Sequence, residues 1–318
     1  MARQQPRVKL SPIAKQFYEL YVRFSENLHN GWVHYESQKE IIAVLNGQCL
    51  DNAYADAFKI TTVSPVNSER RAITRLTGHN LLKMTERFFH RELPEELFVN
   101  AIGRFEAFVS DVAECAYLNQ PIRFLRVDVP GTPTIATNPS NHKLLRKLIA
   151  GDSMADTLRV FEEDCLQQPN PKGVEITFRN MDEKMAKHIR LSTTSEEAIQ
   201  RFVEEKLRGI FYGDPVKIFR ANKLRLDPTL AIKATCASEL VFYQEMVGRR
   251  NVLIHNLGRI DHKYLRENPS PQYALGDRVY IDEEYLMNAF SSMNILAKAY
   301  VNEAAIAITG ASLPTVRM

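Results

Sequence analysis

Apolar residues return every three or four positions along most of this chain, and strict alternation is scarce. That period belongs to helices with one buried face. Residues 11–28 carry the stripe Ile13, Phe17, Leu20, Tyr21 and Phe24, opened by Ser11-Pro12, a favourable helix start. Residues 38–47 predict a second, shorter helix, with Ile41, Ile42, Val44 and Leu45. A third is expected over 68–91, closed by Leu93-Pro94. The cleanest pattern spans 95–118, where Phe98, Ile102, Phe105, Val109, Val112 and Ala116 recur at helical spacing before Pro121 closes it. Residues 127–140 are rich in Pro, Thr and Asn and predict an ordered loop or short hairpin. Helices are expected again over 142–150, 153–167, 181–190, 194–210 and 215–224, interrupted at 168–173 (QQPNPKG). A long helix over 228–256 ends at Asn256-Leu257-Gly258, because glycine tolerates the left-handed turn that closes a helix. Residues 267–279 read as a loop, and Asp282 caps a last helix over 283–308.

The fold expected is therefore all-α in the main. It has a helical extension over 1–90, a helical domain over 91–310 and a short irregular or β insertion near 125–140. At 318 residues the chain is long enough for one large domain or two ordinary ones. Its 45% hydrophobic and 25% charged residues exclude wholesale disorder. A net charge of +3 permits a nucleic-acid partner without requiring one. Cys49, Cys115, Cys165 and Cys236 are too far apart for a disulfide framework or a zinc site, which suits reduced thiols in a cytoplasmic protein. The basic first residues lack an apolar stretch, so no signal peptide is expected, and no apolar run reaches membrane-spanning length.

Candidate chemistry concentrates in Arg249-Arg250-Asn251-Val252-Leu253-Ile254-His255-Asn256-Leu257-Gly258. On a helical wheel Leu240, Tyr243, Val247 and Ile254 form the apolar stripe. Arg250 falls on one flank, and Asn251 and His255, four apart, on the other. Arg250 stays charged and offers a planar fork to phosphate oxygens. Imidazole has an ordinary pKa of about 6.5, so His255 suits proton transfer near neutrality, either as general base or as general acid. Asn251 is placed to orient His255 or to hydrogen-bond a phosphate.

This segment resembles the R-x4-6-H motif of the HEPN superfamily. The longer run RRNVLIHNLGRIDHKY is similar to a bacterial form of it, with Asn256, Gly258, Asp261 and Tyr264 at the later positions. Phe105, Glu106, Phe108 and Asp111 look like the family's first helix. The resemblance covers roughly 95–308. It implies a helical bundle that forms a homodimer through the motif helix, with both motifs facing one cleft. It also implies a metal-independent endoribonuclease in which the RNA 2′-hydroxyl attacks and a 2′,3′-cyclic phosphate is left. Arg250 and His255 would be catalytic and Asn251 supporting. A toxin or antiviral (phage-defence) role follows from the family alone, with an antitoxin or regulatory partner to restrain it. No cofactor or metal is called for.

Other residues extend the expected RNA surface. Arg249 either contacts RNA phosphate or is solvated. Glu106 either pairs with Arg250, holds His255 in one tautomer, or is an ordinary surface carboxylate. Lys217, Arg220 and Lys223 share roughly one helix face and suit an RNA backbone, although a solvated charged face is the commoner meaning of such a run. The alternative to an enzyme is a non-catalytic HEPN-like module that dimerises or binds RNA or a nucleotide without turnover. Sequence motifs for nucleotide loops, zinc proteases and serine hydrolases are absent.

Overall fold

The computed structural model describes residues 10–51, 58–63, 71–119, 232–268 and 273–314, with isolated helical positions at Glu197, Gln200, Arg201, Glu204 and Phe219. Those residues are predominantly helical, as the apolar period predicts. The elements are α1 (Pro12–Asp51), β1 (Phe58–Val63), β2 (Arg71–Leu76), α2 (Gly78–Arg87), α3 (Leu93–Asn119), α4 (Ile232–Thr235), α5 (Ala237–His255), α6 (His262–Glu267) and α7 (Glu283–Thr309). A π-helical turn, Phe88–Glu92, joins α2 to α3. No helix among the described residues is long and apolar enough to cross a membrane.

Several boundaries differ from expectation. The two helices predicted over 11–28 and 38–47 are one helix, α1, opened by Ser11, whose Oγ accepts the Ala14 N–H at 3.2 Å. Helix continues through Gly31 because tertiary packing outweighs its poor propensity. A Cβ there would sit 3.3 Å from the Phe290 ring, and buried Tyr35, four residues on, stacks on Phe89 at 5.1 Å. The helix expected over 68–91 is instead β2, then α2 capped by Thr77. β2 pairs antiparallel with β1, Phe58 opposite Leu76 and Val63 opposite Arg71. The β-branched run Ile60-Thr61-Thr62-Val63 favours the pleated alternative. Leu93-Pro94 does not end a helix. Pro94 comes just after the π-helical turn, and α3 runs on through it. The 228–256 helix is described from Ile232 and is broken by a bend at Cys236. The segments 127–140, 142–150, 153–167, 168–173 and 181–190 lie outside the described residues, as do most of 194–210 and 215–224.

The chain forms two compact units, and α1, α3 and α7 each contribute to both. One unit comprises Arg23–Phe105 and Ser238–Leu296. Its core is aromatic at the centre: the Phe105 ring lies 5.7 Å from Phe24 and 4.9 Å from Tyr243, so α1, α3 and α5 meet there. Phe98 and Phe242 both meet the Tyr285 ring edge-on, which adds α7. All six positions of the α3 stripe read from the sequence are buried, the last three of them in the other unit. At the start of α7, Glu283 accepts from Lys39 Nζ at 2.9 Å and from the Tyr35 hydroxyl at 3.4 Å.

The other unit comprises Met1–Val22, Glu106–Ala237 and Ala297–Met318. Among its described residues Phe17, Val109, Val112, Ala116, Ala297, Tyr300 and Ala304 are buried. Small residues on α7 permit close helix approach. Glu303 is partly buried there and accepts the Ile232 backbone N–H at the start of α4, where helical N–H groups lack intrahelical partners. Burial raises its carboxyl to about 7, against the smaller opposing effect of that hydrogen bond. The acid is thus easier to ionise in the unfolded chain. Its contribution to stability is full below the ordinary carboxylate pKa and is lost as pH rises through about 7. Glu303→Gln is expected to raise Tm at pH 8 and leave it nearly unchanged at pH 4. Thermal unfolding of both proteins at the two pH values checks this, and an equal difference at both would remove the carboxyl as its cause.

Candidate functional site

The motif occupies the last turns of α5. The buried face of that helix is Leu240, Tyr243, Met246 and Val247, and Val252 is buried on the opposite side. Ile254, expected in the stripe, is 48% exposed, because the core gives out after Val247. Arg250 and Ile254 continue the line of Tyr243 and Val247 beyond that point. Arg250 and Asn251 are partly buried, and His255, the last helical residue, is exposed. At ~100° and ~1.5 Å per residue, Arg250 and His255 stand about 140° apart around the axis and about 7.5 Å apart along it.

Helix closure takes more than the predicted glycine. Both Leu257 (φ 51°) and Gly258 (φ 77°) adopt the left-handed region. Gly258 N–H returns to Val252 O at 3.0 Å, and the Asn256 amide donates to Arg259 O. Leu257 is unfavourable in that conformation by roughly 1 kcal/mol, and its side chain is 82% exposed. The described residues of 256–281 then form a hook. Arg259 and Arg278 face each other in an antiparallel bridge. Asp261 caps α6 by accepting the Tyr264 N–H at 2.7 Å, and Asp282 caps α7 by accepting the Tyr285 N–H at 2.8 Å.

What anchors the hook is a cluster that the sequence reading did not identify. The Glu245 carboxylate accepts from Arg249 Nε, from the Tyr264 hydroxyl and from the Tyr285 hydroxyl, each at 2.5 Å. Arg249 also donates to Tyr280 O at 3.0 Å, and its guanidinium lies 3.8 Å from the Tyr285 ring centroid and 5.3 Å from that of Tyr273. The Arg249 and Glu245 side chains are only 12% and 22% exposed. Arg249 is therefore committed to the protein interior, where sequence offered RNA contact or solvation. Burial alone would lower its pKa, but Tyr285 and Glu245 more than offset this, so it holds its proton more tightly than usual. Burial, with Glu245 beside them, raises both Tyr264 and Tyr285. Gly248 completes the arrangement: a Cβ there would stand 3.2 Å from two Tyr264 ring carbons and overlap the Asn268 amide. One signal was available, since Glu245 and Arg249 are four apart on a helix. The tyrosines, 15 to 36 residues further along the chain than Arg249, gave none.

The remaining sequence candidates divide. Glu106 is partly buried on α3, in the other unit. Lys217, Arg220 and Lys223 lie outside the described residues. Among the described residues no three His, Cys, Asp or Glu side chains group as metal ligands.

Glu245→Gln leaves Arg249 buried beside a neutral partner, and removing one member of such a pair costs roughly 3–5 kcal/mol. A lower midpoint in denaturant titration is expected, with tyrosines 264 and 285 more exposed. Gly248→Ala should speed amide hydrogen exchange across 258–281 while sparing α3, and uniform protection in the variant would show that the Tyr264 contact does not hold the hook. The chain matches no protein-family model, no curated protein and no solved structure.

Proposed function

We propose that this protein is a metal-independent endoribonuclease of HEPN type. The placement of His255 supports this most directly: it is exposed at the end of α5, with Arg250 five residues before it on another face. In the proposed reaction a general base takes the proton from the RNA 2′-hydroxyl. The 2′-oxygen attacks the adjacent phosphorus, and the 5′-oxygen leaves with a proton from a general acid. A 2′,3′-cyclic phosphate and a 5′-hydroxyl result. His255 serves one of the proton transfers, and Arg250 balances the added negative charge on the phosphate. The angle of about 140° between them favours a site built by two copies of the chain, one lending Arg250 and the other His255. Such a homodimer, cytoplasmic and held by an antitoxin or other regulator, would act as a toxin or phage-defence effector.

A second reading is a non-catalytic module that binds RNA or a nucleotide. It gains from the structural use of Arg249, Asn256, Asp261 and Tyr264, all part of the extended motif.

The deciding experiment is cleavage of total RNA in EDTA. Wild type is expected to leave cyclic-phosphate ends, and His255→Ala to lose about 10²–10⁴-fold in rate without a change in Tm. Mixing Arg250→Ala with His255→Ala should then restore up to about a quarter of wild-type activity, because half the dimers carry one intact site of two. Equal cleavage by wild type and His255→Ala would sink the assignment. No cleavage by folded wild type would favour the binding module.

A further inference from the structure

We infer that Arg259 and Arg278 form a fork at the end of α5 that binds the phosphate backbone of single-stranded RNA; the choice of RNA as the ligand rests on the ribonuclease reading. The two residues stand directly opposite in an isolated antiparallel bridge. Ile260 N–H bonds to Asp277 O and Val279 N–H to Gly258 O, both at 2.8 Å. That pattern makes Arg259 and Arg278 a non-hydrogen-bonded pair, the arrangement in which facing side chains leave the ribbon closest together. Like charges so placed repel.

A carboxylate between them would relieve the repulsion, but among the described residues none pairs with either arginine. The acids nearest in sequence are otherwise engaged: Asp277 accepts the Ala274 N–H at 2.6 Å, and Asp261 caps α6. Each arginine is held but not neutralised. Arg259 Nη1 donates to Gly276 O at 3.2 Å. Arg278 lies along Gly258, and its Nε is buried with no hydrogen-bond partner. Uncompensated charge on two arginines opposed across the ribbon suits a shared anion, and phosphate matches the planar geometry of a guanidinium.

The surroundings extend the positive field. His262, Lys263 and Arg266 are all exposed on α6, within about 100° of one another and away from buried Tyr264. Of the three, Arg266 makes an ion pair among the described residues, with Glu267 at 3.7 Å. Leu257, held exposed between His255 and Arg259, offers an apolar surface to a base, and bases are accessible in single strands. The strand would thus run from the helix end across the fork onto α6.

The test is fluorescence anisotropy of a short single-stranded RNA whose 2′-oxygens are all methylated, so that it binds without being cut. Binding is measured over a salt series. For single strands, log K changes with log salt by about 0.7 per phosphate contact. Arg259→Gln with Arg278→Gln is expected to flatten the slope by about 1.4, and Arg259→Lys with Arg278→Lys to retain most of it. If the double glutamine variant does not fold, the single exposed-site variant Arg259→Gln is read alone, with an expected change of about 0.7. An unchanged slope in a folded variant overturns the fork, as does failure of wild type to bind. Fork-dependent binding without cleavage of ordinary RNA would keep the fork and remove the nuclease. Cleavage with fork-independent binding would do the reverse.

Discussion

A carboxylate set among apolar side chains must be neutralised and hydrogen-bonded, or it will not remain ionised there. That requirement at Glu245 organises the end of the molecule that carries the motif. Three donors converge on it from α5, α6 and α7. One of them, Tyr264, comes from a short segment: α6 has six residues and is flanked by the isolated bridge. Hydrophobic burial places α5 against the aromatic centre at Phe105 and Tyr243. Burial of Ile260, Val279 and Ile281 helps to direct the chain after His255, and the ion pair adds a polar anchor: the Tyr264 hydroxyl meets Glu245 and its ring lies against the bare backbone of Gly248.

This division of labour explains what the sequence made legible. Helices whose burial is periodic were readable: all six α3 positions chosen from spacing are buried, and Asp282 caps α7 as its place before an apolar run implies. Features set by distant partners were not. Gly31 and the polar residues around it read as a gap between helices, yet Phe290 and Phe89 keep them helical. The strand Arg71–Leu76 shares apolar spacing with a helix, and only its pairing with Phe58–Val63 decides between them. Within the motif, the wheel could not show that the buried face ends before Ile254, nor that Arg249 turns inward, the latter because it depends on tyrosines remote in sequence.

The two adjacent arginines show how helix phase separates roles that composition would merge. Arg249 and Arg250 differ by about 100° around α5. That rotation carries Arg249 to the Glu245 side, where its charge is spent on folding, and leaves Arg250 on the line that continues the buried face beyond the core. Adjacent residues of an extended motif can therefore fall in different surroundings, and identity alone does not sort them.

Phase also limits what a single chain can do. Arg250 and His255 diverge by about 140° and are separated by about 7.5 Å along the helix. Side chains leaving the last turn of a helix at those positions diverge from one another. That turn is fastened by the Asn256 and Gly258 hydrogen bonds and by the hook beyond them. Under the ribonuclease reading proposed above, a second cation could reach His255 in two ways: from a second copy across a two-fold axis, or from a different cationic group of the same chain. Arg278 lies along Gly258, next to the end of the helix, and is held there by the bridge. The fastening that separates Arg250 from His255 is thus the same fastening that brings the hook's arginines to the helix end, so the proposed RNA substrate would meet charge from the hook as well as from the motif.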